Sequence, residues 1–411
     1  MNKSYGAAFM IASTAIGGGT LALPLVIGAS NVIMAILLLS ISAIIMLYAA
    51  IIIVEVNIIL RKCDSVVSLS NDVLGRVVGV IGAFTLFTLL STLITAYSTA
   101  LGEMVASYLT PYSFFSNLNI PHFASFFFAT LFSVLVATSY KLVDYGNRIF
   151  FVAKIVCFIA MCLLFTPAVR VDLLMEKVTM PALIDKNMLL ILPIFITSFG
   201  FHASIPYIMK YVGRNDVVGY SRIFGRATIL TAVIYLLWIV SIVSIIPLYG
   251  DGSFAQIMAN RAANNDLPLL LVTLAQKVGH SFFTVISTVF TFTAIATSFL
   301  GVLASMYDLC IEITKVKSPS MLRKIGIFVF IFFPPAVQII YGANFLYLLA
   351  FASIALVILA IIIPCAIMLR LLSNSKFSKA GLIFSNVWSI SVMLFAGGAI
   401  IAVELWNIFA G

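Results

Sequence analysis

Apolar residues run through this chain in long stretches that recur from end to end. Between breaks rich in charge, proline or glycine, eleven stretches are long enough to cross a bilayer as helices: 5–29, 31–60, 79–109, 122–140, 146–168, 187–209, 226–248, 282–313, 324–341, 343–371 and 380–407. A crossing helix needs about 20 mostly apolar residues. The stretches are numbered here as spans one to eleven, and they predict an all-α polytopic membrane protein. The tightest break, Tyr341-Gly342-Ala343-Asn344, has to serve as the turn between spans nine and ten.

Two of these spans are interrupted in the middle. Span one contains STAIGGGT, Ser13 to Thr20. Each of its three consecutive glycines weakens a helix by about 1 kcal/mol relative to alanine, and hydrocarbon offers no water to a freed backbone group. Span six, ILPIFITSFGFHASIPYIMK, is interrupted at Ser198-Phe199-Gly200-Phe201-His202, with Pro193 and Pro206 on either side. A single glycine cluster would read as close helix packing. Two breaks at corresponding positions, five spans apart, predict an inverted repeat: residues 1–168 as the first five-helix unit, 187–371 as the second, and 380–411 as an appended eleventh helix. Helices broken in this way form a midplane site in which half-helix N-termini present N–H groups to an anion.

Composition fits this picture: 63% of the 411 residues are hydrophobic, 9% are charged, and the mean hydropathy is +1.19. The net charge of +9 could suggest nucleic acid, but the basic residues sit in short loops and instead report topology. All but Arg170, Lys177, Lys186, Arg261 and Lys277 fall on one side, from Lys3 through Arg61, Lys62 and Arg76, Lys210 to Arg226, and Lys315 to Lys324, to Arg370, Lys376 and Lys379. The positive-inside rule then places the amino terminus in the cytoplasm and the carboxyl terminus outside. The amino-terminal segment MNKSYGAAFM reads as a short tail feeding a retained helix, without a cleaved signal. The five cysteines show neither metal spacing nor an extracellular pair and read as packing residues. No paired carboxylates, nucleophile–base set or HExxH points to an enzyme. A channel would need a continuous polar lining, whereas the polar residues here cluster at the two breaks.

Four stretches resemble the hydroxy/aromatic amino acid permease family of the amino acid–polyamine superfamily: TAIGGGTLALP (Thr14–Pro24), VDYGNRIFFVAKI (Val143–Ile155), PIFITSFGFHASIP (Pro193–Pro206) and ATSFLGVLASMYD (Ala296–Asp308). The length and the eleven-span layout agree as well. The resemblance implies a LeuT-type five-plus-five inverted-repeat fold with one extra helix. It also implies proton-driven uptake of an aromatic amino acid, tyrosine ahead of tryptophan or phenylalanine, across the bacterial inner membrane. The partners expected are the amino acid, protons or sodium, and the lipid bilayer, with no cofactor and no nucleic acid.

Such a substrate is a zwitterion with a ring. Its carboxylate needs N–H donors, which Ile16-Gly17-Gly18-Gly19 can offer without side chains in the way, and Thr14 and Thr20 can add hydroxyls. Its ammonium needs carbonyls near Ser13, Ala15 and residues 197–199. Ser198, Phe199, Gly200 and Phe201 flank the second break, and the two phenylalanines are candidate ring contacts. Tyr97, in the middle of span three, requires a hydroxyl partner: either the substrate or a neighbouring helix carbonyl. His202, the one histidine inside a span, reads either as a ligand for a phenol or proton or as an interhelical hydrogen bond.

Sodium-coupled members of the wider fold bind the ion between spans one and eight. By that resemblance Ser13, Ile16 and Ala294 supply carbonyls, and Thr297 and Ser298 supply hydroxyls. Sodium-independent relatives carry a lysine on span five whose ammonium takes the ion's place, and Lys154 is the matching residue. The competing reading is a lysine snorkelling to the interface. Among the remaining intramembrane acids, Glu55 lies within reach of loop Lys and Arg. Glu103 reads as a gate or a protonated carboxyl, and Glu404 as interfacial.

Overall fold

The structure is a computed structural model that describes residues 3–28, 30–109, 120–138, 140–179, 186–213, 216–260, 266–314, 335–337, 339–342, 344–374 and 384–410. Among these residues all regular structure is helical. Ten of the eleven expected spans are present. They are the bent pair Lys3–Ala15 and Gly18–Ile27, then Val32–Ile59, Arg76–Leu109, Ile120–Thr138, Tyr140–Phe165, Ile191–Val212, Val217–Val243, Phe283–Thr314, Phe345–Ser373 and Val387–Ala410. Most of span nine lies outside the described residues, as do the loop residues Arg214, Arg261, Lys315, Lys317, Arg323, Lys324, Lys376 and Lys379. At the expected turn before span ten, Gly342 takes φ +69° and Asn344 caps the following helix by accepting from Leu346 N.

Span one bends by 55° between Ala15 and Gly18. Its second half packs against the first half of span six, and its first half packs against span seven. Spans two and ten also pack on the first half of span six, while span three packs on spans four, eight and ten. Span eight lies against span five. The two broken spans are therefore wrapped by unbroken ones, as required where backbone groups are exposed at membrane depth. Hydroxyls along the spans bond to carbonyls one turn earlier, for example Thr92 to Thr88 at 2.9 Å and Thr293 to Val289 at 2.7 Å. Span ten carries a π turn, Ile358–Ile362, just ahead of Pro364.

Two intramembrane acids are buried within the protein. Glu55 accepts from Phe384 N at 2.9 Å, tying span two to the start of span eleven. Glu404 is buried, with Asn407 Nδ2 at 3.4 Å.

Lys177 departs from its expected place. It lies on a short amphipathic helix, Val171–Thr179, between spans five and six, where a solvated loop base was expected. Its side chain is fully buried. Nζ donates to Val243 O at 2.9 Å and Ile246 O at 2.7 Å, so it satisfies carbonyls at the end of span seven, and it lies 4.4 Å from the Phe254 ring centroid. Burial pushes the ammonium from its ordinary 10.5 down to about 7. The neutral amine keeps two N–H donors, enough for both carbonyls. Once the helix detaches, the lysine binds a proton at higher pH than when docked, so docking gains stability as pH rises from about 7 towards 10.5. Thermal midpoints of wild type and Lys177→Met should therefore diverge in favour of wild type between about pH 7 and pH 9. A constant difference across that window counts against titration of Lys177.

Candidate functional site

The break in span one creates both kinds of free backbone group at one place. The first half ends at Ala15, and Gly17, with φ −142° and ψ −136°, starts the second half at Gly18. Helix ends leave C-terminal carbonyls and N-terminal N–H groups without intrahelical partners. Here the carbonyls of residues 13–16 and the N–H groups of residues 17–19 meet at the bend. Span six is broken in the same way: its helix ends at Ser198, Gly200 N bonds to Thr197 O at 3.0 Å, and a 3₁₀ turn, His202–Ser204, leads into Ile205–Val212.

Glycine is required at the first break because other groups approach it closely. A Cβ on Gly17 would collide with Ser298 Oγ of span eight. On Gly18 it would come within 2.6 Å of Tyr97 Cε1, and on Gly19 within 2.9 Å of Ser198 Cα. The structure thus gathers Gly17, Gly18, Gly19, Thr20, Tyr97, Ser198 and Ser298, all buried or half-buried. Tyr97 and Ser298 interact through their hydroxyls. Phe199 is fully buried and packs edge-on to Tyr235 at 5.5 Å. All of them but the half-buried Ser298 are buried. A cavity of about 530 Å³ lies away from them, beside Met104, Tyr108, Leu267 and His280.

Lys154 reaches this point from span five and is fully buried. Its Nζ donates to Ile16 O at 2.5 Å, Ser13 O at 3.2 Å and Thr297 Oγ1 at 3.2 Å. Thr297 Oγ1 in turn donates to Ala294 O at 3.1 Å. An ammonium has three donors and no acceptor, and it meets three oxygens. The snorkelling alternative is excluded by this geometry.

Several expected site residues lie elsewhere. Thr14 is exposed and bonds back to Met10 O at 3.0 Å, so it adds no hydroxyl to the bend. Gly200 faces Thr197 O and Leu356. Phe201 stacks between His202 at 4.8 Å and Phe224 at 5.9 Å, in a cluster with Ala8, Ile11 and Ile53. His202 Nε2 pairs with Met46 O of span two at 2.9 Å. Phe201 and His202 thus pack among spans one, two, six and seven, at the start of the 3₁₀ turn that follows Gly200. Glu103 is buried near Asp266, and neither of its oxygens accepts a hydrogen bond among the described residues.

The residue absent from the sequence-based set is Tyr235 of span seven. Its hydroxyl lies 2.7 Å from Ala15 O and 2.8 Å from Ser198 O, bridging both breaks. The argument applied to Tyr97, that a mid-span tyrosine needs a polar partner, applies equally to Tyr235 in TAVIYLLWIV.

Two broken spans meeting at mid-depth, braced by a lysine from span five, define a carrier of the broken-helix, inverted-repeat class. The family model of the tryptophan/tyrosine permease family matches residues 1–403, and the chain belongs to that family. It is 27% identical over 370 residues to tyrosine-specific transport system 1 of Haemophilus influenzae, covering 89% of this chain and 88% of the relative. It is 26% identical over 386 residues to the tryptophan-specific transport protein of Shigella flexneri, covering 93% and 89%. Glutamine transporter 2 of Aliivibrio fischeri is 24% identical over 375 residues, covering 90% and 89%. The fold matches the crystal structure of MhsT in complex with L-phenylalanine with a TM-score of 0.62 at 16% identity, covering 98% of each chain. The architecture is therefore LeuT-type.

Proposed function

We propose that this protein imports an aromatic amino acid, tyrosine ahead of tryptophan, across the bacterial inner membrane by proton symport with alternating access. The observation that carries the coupling is the Lys154 ammonium on Ser13 O, Ile16 O and Thr297 Oγ1. In its charged form the lysine staples the first half of span one to spans five and eight. On losing its proton to the cytoplasm it gives up one donor and its charge, which loosens that half and opens the site to the cytoplasm. Regaining a proton from outside resets the staple. The names of the tyrosine-specific and tryptophan-specific relatives support the aromatic class. The substrate carboxylate rests on the N–H groups of residues 17–19, with Thr20 and Ser298 beside it. The ring lies towards Tyr97 and Phe199.

The test is uptake of labelled tyrosine into proteoliposomes holding the pure protein. An inward proton gradient without sodium should drive accumulation, and excess tryptophan or phenylalanine should compete while serine and glutamine should not. Accumulation driven by a sodium gradient alone overturns the proton coupling. Stronger competition by tryptophan than by unlabelled tyrosine reverses the substrate order. Non-saturable flux would make the protein a channel.

A further inference from the structure

We propose that Tyr235 is a positioning residue that selects for the α-amine of the transported amino acid, by fixing the carbonyls that receive it. The inference rests on the amino acid transport proposed above. Ala15 and Ser198 are the last helical residues of the first halves of spans one and six. Their carbonyls therefore belong to helix C-termini, which carry partial negative charge and favour a cation. Tyr235 sits between them, fully buried, with its ring braced by Phe199.

A phenol has one proton, so the 2.7 Å and 2.8 Å contacts share a single donor between the two carbonyls. Each carbonyl keeps a second lone pair, and the phenol oxygen keeps its acceptor capacity. Thr20 adds a buried hydroxyl close to that of Tyr235, without a full hydrogen bond of its own. Oxygen acceptors from spans one, six and seven thus converge at one point. The N–H groups of Gly17 to Gly19 begin two residues further along the chain. In an α-amino acid a single carbon separates ammonium from carboxylate. A carboxylate on those N–H groups accordingly brings the ammonium, with its three donors, to the Ala15, Ser198 and Tyr235 oxygens. A tyrosine kept for packing alone needs one hydrogen-bond partner, whereas this one bonds to the frayed end of each broken span.

The substitution to make is Tyr235→Phe, which removes one oxygen. In competition against labelled tyrosine, the inhibition constants of unlabelled tyrosine and of its α-hydroxy analogue, 3-(4-hydroxyphenyl)lactate, are compared for wild type and variant. The amino acid should weaken by about tenfold or more, as expected for disturbed buried hydrogen bonds. The hydroxy acid should change by less than about threefold, so that the preference for an amine collapses. Tyr235→His retains a ring donor and should restore part of that preference, which keeps the test decisive if the phenylalanine variant folds poorly. Equal weakening of both ligands, or of neither, overturns the inference and leaves Tyr235 as a strut. A wild-type protein that takes up no aromatic amino acid instead overturns the transport reading itself.

Discussion

Replacing Gly17 by leucine should abolish substrate binding while the protein still inserts and purifies. The Cβ alone collides with Ser298 Oγ, and the rest of the side chain would fill the space before the N–H groups of the second half of span one. Overpacking of this kind costs the fold about 1–3 kcal/mol, tolerable for a bundle of this size. The binding loss should exceed about 100-fold, because the carboxylate loses several backbone donors together. Gly301→Leu is the control, since nothing lies within 4 Å of its Cβ position on span eight. The readout is substrate-induced thermal stabilisation of the purified protein. Unchanged stabilisation of Gly17→Leu would make the glycines packing residues and move the site elsewhere.

Lys154→Ala should abolish proton-driven accumulation, bringing internal and external tyrosine to about equal concentrations. Removing the ammonium leaves Ser13 O, Ile16 O and Thr297 without their donor in a buried place, at about 1–3 kcal/mol for each unsatisfied group. The first half of span one should then detach readily and expose residues that are buried in wild type. Accumulation ratios in proteoliposomes under an inward proton gradient, with tyrosine exchange measured in parallel, separate loss of coupling from loss of binding. Retained accumulation in Lys154→Ala would remove the lysine from the coupling path.

The spans were legible in the sequence because each is a long apolar run bounded by charge, and both breaks were legible because glycine-rich interruptions fall at corresponding positions of two spans five apart. Lys154 could be placed through the family resemblance, and its partners Ser13, Ile16 and Thr297 follow the same pattern. Tyr235 escaped notice because its span carries no break, and one tyrosine among 15 gives no local signal. What singles it out is two carbonyls that only the folded chain brings together. Lys177 escaped for a different reason: a nine-residue amphipathic helix in a loop gives too short a pattern to show that its lysine turns inward. Phe201 and His202 misled in the opposite direction. Nearness to Gly200 along the chain implied nearness to the site, but Phe201 stacks on Phe224 and His202 pairs with Met46 O.

The bend at Gly17 presents main-chain atoms in place of side chains, and this determines what a mutational survey can detect. Alanine scanning leaves N–H and C=O groups in place, so at the bend it will register only steric clashes. A full substitution map should instead show narrow intolerance at residues 17–19, graded by side-chain volume and indifferent to polarity. The same chemistry makes the proposed carboxylate site hard to retune through charge, since amides hold no ionisable proton to adjust. On the proposed binding mode, variation in what such a carrier accepts is then left to the side chains around the bend, Tyr97, Phe199 and Ser298.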